Sequence, residues 1–247
     1  MTNRQTTGGR STKAERKERA RRERQELQRK MERARRNRRL ALLVLVLIAG
    51  VAVFALTRPS TAVVDPAELL AQAEQAKTAA GCDEAEDVGA YQPDAQDQLH
   101  VPAEERPPLS SYASVPPASG PHGQATQSAG VYDEPPAIDR VLHSLEHGAV
   151  VVWYTPRASG EELNRLRAFF DGPNGARVIV APYDYPDEGA AGRLPTGTGM
   201  AMVAWHHVQL CGQISLPAAF DFSASYGAPP YEDRAYLGNA PEAGVPF

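Results

Sequence analysis

The sequence predicts an α+β domain, with a small and mostly antiparallel sheet and packed helices, preceded by one transmembrane helix and a basic helical tail. Up to residue 39 the chain has 16 Lys or Arg and 5 Asp or Glu, a net charge of +11. The remainder has 10 basic and 25 acidic residues, a net charge of −15. Residues 40–57, between these halves, carry no charge. Helix-like and strand-like hydrophobic patterns then follow one another from residue 137 to residue 210.

These features divide the chain into a basic tail at 1–39, a transmembrane helix at 40–57, a helical stalk at 58–81 and a domain at 82–247. At about 1.5 Å per residue, the apolar segment nearly spans a hydrocarbon core of about 30 Å. Because the basic residues precede it, we expect a single-pass protein of the cell membrane with a cytoplasmic amino terminus and an extracytoplasmic domain. A cleaved signal peptide is the alternative, but the basic region is too long for one and no clean Ala-x-Ala site follows the apolar segment.

The basic tail predicts the partners of the amino-terminal part. Its predicted helix is charged on all sides, so it has no apolar face to bury against protein. Basic residues at a membrane surface attract anionic lipid headgroups, with roughly 1 kcal/mol for each residue. Nucleic acid is the alternative, since phosphate binding requires only positive charge. The tail has no interleaved aromatic residues and no base-reading motif, so we expect lipid and no nucleic acid. A protein partner is left open.

The stalk and the first helix of the domain have clear end signals. Asp65 is a predicted N-cap, Pro66 suits the first helical turn, and the helix-favouring run to residue 80 ends at Gly81. Residues 83–135 are rich in Pro, Gly and Ser, which predicts loops with short strands. From residue 137 to 147, apolar residues at helical spacing predict a short amphipathic helix that ends at Gly148.

The remaining elements follow from hydrophobic runs. Residues 149–154 predict a buried strand, 160–170 a second amphipathic helix, and 177–182 and 200–210 two more strands. This order predicts helices packed on a sheet. From residue 217 the chain is rich in Pro, Tyr and Gly, and its structure and role are left unassigned.

The chain has two cysteines, Cys82 and Cys211, both in the part predicted to lie outside the cytoplasm. Disulfides form and persist in such compartments, so a Cys82–Cys211 bridge is predicted. It would close a long loop, for which the chain-entropy model gives roughly 4–5 kcal/mol. The alternative is two unpaired thiols or one reactive thiol, although no Cys-x-x-Cys motif supports redox catalysis.

All six histidines also lie in this part of the chain: His100, His122, His143, His147, His206 and His207. Two of them form His143-Ser-Leu-Glu-His147, and on a helix these two project from one face together with Asp139. Imidazoles four residues apart can share a metal ion. The alternative is a solvated face, on which histidines near the helix C-terminus interact with the helix dipole.

The same five residues fit the His-x-x-Glu-His pattern of inverted zinc peptidases, in which Glu146 would be the general base. A metal-dependent hydrolase is therefore one alternative, but a glycine follows immediately and no downstream glutamate ligand can be placed. His206 and His207 are neighbours on a predicted strand and would point to opposite faces. Met200 and Met202 share a face, which suits either copper(I) or the hydrophobic core.

Four short motifs stand out together: Pro116-Pro-Ala-Ser-Gly-Pro-His122, Gly130-Val-Tyr132, His143-Ser-Leu-Glu-His-Gly148 and Ala204-Trp205. Together they resemble the bacterial domain of unknown function 3105 family, over roughly residues 80–210. The family pattern falls on Pro117, Ser119, Gly120, Pro121, His122, Tyr132, His143, Ser144, Glu146, His147, Gly148 and Trp205. The resemblance implies anchoring by one amino-terminal helix. The chain departs from it after Trp205, where the family usually continues with glycine, and in its carboxy-terminal tail.

The resemblance supplies no established activity, but it places His122, His143 and His147 among the family's motif residues. Three imidazoles in such positions are hard to explain by packing alone, so we expect them to bind one transition metal ion, zinc or copper. Glu146 or Asp139 would complete the site or orient a histidine. The alternatives are a structural or protein-interaction module of the cell envelope, and the hydrolase. Whether the chain is an enzyme is left open.

Overall fold

The computed structural model describes residues 30–31, 64–232 and 234–247. The predicted transmembrane segment and nearly all of the basic tail lie outside these ranges. Among the residues described, no helix is both long enough and apolar enough to cross a membrane. The described residues from 64 onward belong to one folded unit. Its α-helices are α1 (Pro66–Ala80), α2 (Ile138–Glu146), α3 (Glu161–Phe170) and α4 (Leu216–Tyr226).

Helix α1 begins and ends at the residues that the sequence predicts. The Asp65 carboxylate accepts a hydrogen bond from the Ala67 N–H at 2.9 Å, and Gly81 ends the helix in a left-handed conformation. Leu69 and Ala73 are buried where α1 packs against α4. The segment assigned to a stalk therefore packs on the rest of the unit over residues 66–80, through Leu69, Ala73 and Ala80, which share one side of the helix.

Two side-chain links hold α1 in place. Lys77 Nζ lies 2.6 Å from Asp221 Oδ2 on α4. Cys82, which follows α1, forms a disulfide with Cys211 at the end of the strand His207–Cys211. The predicted disulfide is therefore present, and it joins the start of the folded unit to its sheet.

The sheet has six strands in the order β1-β6-β5-β3-β4-β2. They are β1 (Glu86–Asp87), β2 (Gly130–Val131), β3 (Val150–Tyr154), β4 (Val178–Pro182), β5 (Met200–Ala204) and β6 (His207–Cys211). β1–β6, β6–β5 and β5–β3 are antiparallel, whereas β3–β4 and β4–β2 are parallel. The α+β class is confirmed, and the sheet is mixed, with three antiparallel and two parallel pairings. Helix α3 crosses from the end of β3 to the start of β4, and this connection makes the two strands parallel.

The central strands are buried on both faces. On β3, Val150 and Val152 pack into a core with α1, α3 and α4, whereas Val151 and Trp153 pack into a second core with α2 and its neighbouring loops. A strand covered on both faces has a continuous apolar sequence. This explains why the run at 149–154 shows no alternation, and it places α2 in the layer opposite the other three helices.

The segment 200–210 is a hairpin, not the single strand that the sequence predicts. β5 and β6 pair over their whole length, and Trp205 and His206 form the turn between them. His206 has a φ of 62°, in the left-handed region that glycine or asparagine usually occupies in tight turns. A histidine there gives no turn signal, so the sequence hides the break.

Helix α4 is an element that the sequence left unassigned. Ser215 caps it by accepting a hydrogen bond from the Ala218 N–H at 3.4 Å. Its apolar residues lie on almost all sides, and Leu216, Phe220 and Phe222 are buried. A helix buried on several sides lacks the amphipathic period that reveals a surface helix.

Candidate metal centre

Four side chains meet where α2 lies against the loops that cover it: His100, His122, His143 and Glu146. Each offers one candidate ligand atom, and these atoms all lie within 4.8 Å of one another. His122 is 0% exposed and Glu146 is 1% exposed, whereas His100 lies at the surface. A buried carboxylate is costly unless it is paired or coordinates a metal ion. The cluster could therefore hold a metal ion.

Helix α2 supplies two of these side chains. His143 and Glu146 are three residues apart, so they project from the same side of the helix. The helix ends at His147, Gly148 follows with a φ of 88°, and the Ala149 N–H donates to the Ser144 carbonyl at 2.9 Å. The chain thus turns directly into β3, and the last turn of α2 is fixed against the sheet.

The loops supply the other two side chains. His100 and His122 lie opposite each other in a short parallel backbone pairing. The His122 N–H donates to the Leu99 carbonyl at 3.0 Å, and the Val101 N–H donates to the His122 carbonyl at 2.8 Å. Their ring centroids are 4.7 Å apart. This pairing brings His100 to the cluster although it lies 22 positions from His122 in the chain.

Backbone carbonyls fix the orientation of two imidazoles. His122 Nδ1 lies 2.7 Å from the Gly120 oxygen, and His143 Nδ1 lies 3.0 Å from the Gly123 oxygen. A carbonyl only accepts hydrogen bonds, so each Nδ1 carries the proton, and a neutral ring then has its lone pair on Nε2. His122 Nε2 lies 3.0 Å from Glu146 Oε2. Two acceptors at this distance need a proton or a cation between them.

Three of the six distances among the candidate ligand atoms lie near those expected for a four-coordinate ion. His143 Nε2 is 3.5 Å from His100 Nε2, and Glu146 Oε2 is 3.0 Å from His122 Nε2 and 3.8 Å from His100 Nε2. Ligand atoms about 2.0–2.1 Å from a tetrahedral zinc ion lie about 3.3 Å from one another. The observed separations lie on both sides of that value.

The lowered pKa of His143 also favours metal binding, because it keeps the imidazole neutral. Burial lowers the pKa of His143, and the neighbouring imidazoles of His122, His100 and His147 lower this pKa further. The Glu146 carboxylate acts in the opposite direction but does not offset these effects. His143 is therefore neutral at pH 7, which is the form of imidazole that binds metal.

A buried hydrogen-bonded pair, Asp97 and His206, holds the loops that carry His100 and His122. Asp97 Oδ1 accepts a hydrogen bond from the Tyr91 N–H at 2.6 Å, and Oδ2 lies 2.7 Å from His206 Nε2. Burial by itself raises the pKa of Asp97, but hydrogen bonds from His206, Ser119 and Tyr91 outweigh it and lower this pKa below its usual value.

The same pair reaches the cluster through backbone and ring contacts. The Asp97 carbonyl accepts a hydrogen bond from the Gly120 N–H at 3.0 Å, two residues before His122. The His206 ring stacks on Trp205, which meets the His122 ring edge-on at a centroid distance of 6.0 Å. Asp97 and His206 thus position His122 without being candidate ligands.

His147 lies beside the cluster and turns toward the carboxyl terminus. Its ring centroid is 4.7 Å from that of His143. However, its Nδ1 lies 3.1 Å from the Pro246 oxygen and its Nε2 lies 3.0 Å from Glu242 Oε2. Of the predicted residues, the structure therefore groups His122, His143 and Glu146 with His100, and places His147 with Glu242. Asp139 belongs to neither candidate group within the described ranges.

Sequence reasoning missed His100 and Glu242 because both come from segments without a periodic pattern. His100 lies in a proline-rich loop, and only the backbone pairing with His122 brings it to the cluster. Glu242 lies in the segment after α4. Met200 and Met202 are buried in the core with α1, α3 and α4. This agrees with the hydrophobic-core interpretation of the pair and not with the copper(I) interpretation.

Comparison with known families agrees with the motifs in the sequence. A family described as "Protein of unknown function (DUF3105)" matches residues 105–236, more than half of the chain. His122, His143, Glu146 and His147 lie within the matched residues, whereas His100 and Glu242 lie outside them. Neither the curated proteins nor the solved structures gave a match. The chain therefore belongs to the DUF3105 family, as its sequence motifs predict.

Proposed function

We propose that this domain binds one divalent transition metal ion through His100, His122, His143 and Glu146. One observation carries the proposal. Two rings have Nδ1 committed to backbone carbonyls, so Nε2 is the nitrogen that each ring presents to a cluster that also contains a buried carboxylate. Hydrogen bonds of this kind set the tautomer and orientation of metal-binding histidines in proteins.

Zinc is the ion that this ligand set supports best. Imidazole nitrogen suits zinc and copper(II), whereas magnesium and calcium prefer sites made of oxygen atoms alone. The cluster has no thiolate or thioether among the described residues, so it offers nothing that selects copper(I). Three of the ligand separations, 3.0, 3.5 and 3.8 Å, lie near the value for the tetrahedral geometry that zinc adopts in protein sites.

Four protein ligands would leave a tetrahedral ion without an open position for water. This supports a structural or metal-carrying role for the ion. The hydrolase alternative is less well supported, because Glu146 Oε2 faces the ring nitrogens as a candidate ligand. His147, the second histidine of the peptidase-like pattern, pairs with Glu242.

We further propose that the domain lies outside the cytoplasm and is anchored by residues 40–57. The excess of basic residues before the apolar segment supports this orientation. The Cys82–Cys211 disulfide supports an oxidising compartment. The proposed partner of the basic tail is the anionic lipid surface of the cytoplasmic leaflet.

Zinc retention by the full-length chain tests the proposed site. The protein is purified in mild detergent, stripped with a chelator, reloaded with Zn²⁺, dialysed and analysed for metal content. We expect one zinc ion per chain. Glu146→Gln, which keeps the side-chain shape, should weaken zinc binding by more than about 100-fold, because even residues that only orient ligands cost 10–100-fold.

His207→Gln is the matched control. His207 is a half-buried histidine on β6 whose Nδ1 lies 3.0 Å from the Trp205 oxygen, and it is not in either candidate group. This variant should retain zinc as the wild type does. A wild-type chain that retains no zinc would favour a structural or protein-interaction module. Equal retention by Glu146→Gln would remove Glu146 from the site.

A further inference from the structure

A second arrangement of the same kind lies between α2 and the carboxyl-terminal segment. His147 Nδ1 lies 3.1 Å from the Pro246 oxygen, so Nδ1 carries the proton and the neutral ring has its lone pair on Nε2. Nε2 faces Glu242 Oε2 at 3.0 Å. This repeats the geometry of His122 and Glu146, in which a ring nitrogen and a carboxylate oxygen need a proton or a cation between them.

Contacts other than the Glu242 side chain hold this segment in place. The Glu242 N–H donates to the Glu146 carbonyl at 3.1 Å, and the Gly244 N–H donates to the His147 carbonyl at 3.4 Å. Arg177 donates to the His147 and Val245 carbonyls at 3.1 and 3.4 Å, and it also covers the Phe247 ring. Glu242 therefore stays beside His147 even if its carboxylate is removed.

His143 connects the two arrangements. His143, His147 and Glu242 each offer a candidate ligand atom within 4.8 Å of the others. His143 also belongs to the inner cluster, and it has only one free lone pair because its Nδ1 donates to Gly123. An ion in the outer arrangement and an ion in the inner cluster would therefore compete for the same nitrogen.

Each arrangement has one residue at the surface, His100 in the inner cluster and Glu242 in the outer one, but their carboxylates differ strongly in exposure. The Glu242 side chain is 48% exposed, whereas that of Glu146 is 2% exposed. His147 and His143 lie between these extremes, and both are largely buried. A series of side chains thus leads from the exposed carboxylate of Glu242 to the buried carboxylate of Glu146, through His147 and His143. Each of them offers a candidate ligand atom.

We propose that His143, His147 and Glu242 form a second, outer metal position through which a divalent transition metal ion exchanges with the inner site. The proposal rests on the proposed function, since it requires an ion at His100, His122, His143 and Glu146. The ion first binds Glu242 and His147, recruits His143, and passes to the inner ligands on the same imidazole nitrogen. Once His143 has bound the ion, it holds it until the inner ligands are in place, so the ion stays on protein ligands during the transfer.

The test compares zinc kinetics in the full-length chain in detergent with those of Glu242→Gln. Loading is followed with a fluorescent zinc indicator after apo-protein is mixed with Zn²⁺, and release is followed after excess chelator is added. Removing the exposed Glu242 carboxylate should slow zinc loading by about tenfold. An ion that enters and leaves by the same route is slowed equally in binding and in release. Release should therefore slow by the same factor, while Kd and the zinc content stay unchanged.

Glu84→Gln is the matched control, since Glu84 is an exposed residue of the loop after Cys82 and the substitution removes the same charge. It should change neither rate. Wild-type rates in Glu242→Gln would overturn the outer position and leave the inner site intact. A higher Kd with unchanged loading would also overturn it, because Glu242 would then act on the resident ion. A wild-type chain that binds no zinc would overturn both proposals.

Discussion

Replacing Asp97 with asparagine tests whether the buried Asp97–His206 pair holds the loops of the metal centre. The Asp97 side chain is 7% exposed and accepts hydrogen bonds from the Tyr91 N–H and from His206. Asparagine keeps one oxygen for Tyr91, but it removes the charge that faces His206. A hydrogen bond to a charged group contributes about 1.5–3 kcal/mol, so the variant should lose about 2 kcal/mol of stability.

Thermal unfolding of the full-length chain in detergent measures this loss. Tryptophan fluorescence is a local probe, because the Trp205 ring stacks on His206 at a centroid distance of 5.4 Å. For a domain of this size, 1 kcal/mol shifts Tm by about 2–4 °C, so Asp97→Asn should lower Tm by about 4–8 °C. Because the pair also positions His122, the affinity for zinc should fall by about 10–100-fold.

Asp94→Asn is the control, since Asp94 is an exposed aspartate of the same loop. It should change neither Tm nor zinc affinity. Unchanged Tm and zinc affinity in Asp97→Asn would refute the role assigned to the pair. A double-mutant cycle with His206→Gln would then show no coupling between the two side chains.

Acidification gives a second check on Asp97. The folded-state pKa of Asp97 lies below the ordinary value of 3.8, so the folded state binds fewer protons at this group than the unfolded state. The stabilisation is complete above pH 3.8 and is lost as the pH falls through the folded-state pKa. The stability difference between wild type and Asp97→Asn should therefore be constant from pH 7 to pH 5 and shrink below pH 3.8. A difference that grows on acidification would contradict this assignment.

Three further predictions concern the fold and its location. Replacing Cys82 and Cys211 together with serine should cost about 4–5 kcal/mol, because the bridge spans 129 positions, and unfolding in denaturant measures it; an unchanged midpoint would contradict the role of the bridge. Gly148→Ala should cost about 1–3 kcal/mol more than Gly81→Ala. Both glycines end helices at positive φ, but only at Gly148 would an added Cβ lie 2.6 Å from another side-chain atom, Ala228 Cβ. Equal losses of stability in the two variants would exclude that contact. Protease added to intact cells should digest the domain and spare the basic tail; digestion of the tail would contradict the topology.

The sequence revealed the elements whose ends carry local signals. Asp65 and Gly81 mark α1, and Gly148 marks the end of α2, within a residue of the positions found. The sequence did not reveal the parallel pairing of β3 with β4, although a strand, a helix and a strand in succession are typical of a crossover connection. The turn at His206 was hidden because a histidine occupies a conformation that usually requires glycine or asparagine.

Only part of the candidate centre could be predicted, since its residues come from local and non-local sources. His143 and Glu146 follow from helical spacing, and His122 followed from the family motif. His100 and Glu242 depend on backbone pairings across the fold, with His122 and with Glu146 respectively, and such pairings have no local pattern. The direction of His147 depends on the carboxyl-terminal segment, which the sequence left unassigned.

The coordination of zinc in the loaded full-length chain tests the central claim most directly. Extended X-ray absorption fine structure at the zinc edge reports the ligand atoms and their distances. We predict nitrogen and oxygen ligands only, at about 2.0–2.1 Å, with the outer-shell scattering of three imidazole rings. Glu146→Gln should alter this spectrum, whereas His207→Gln should leave it unchanged. A sulfur shell near 2.3 Å, or scattering from fewer than two imidazoles, would contradict a centre built from His100, His122, His143 and Glu146.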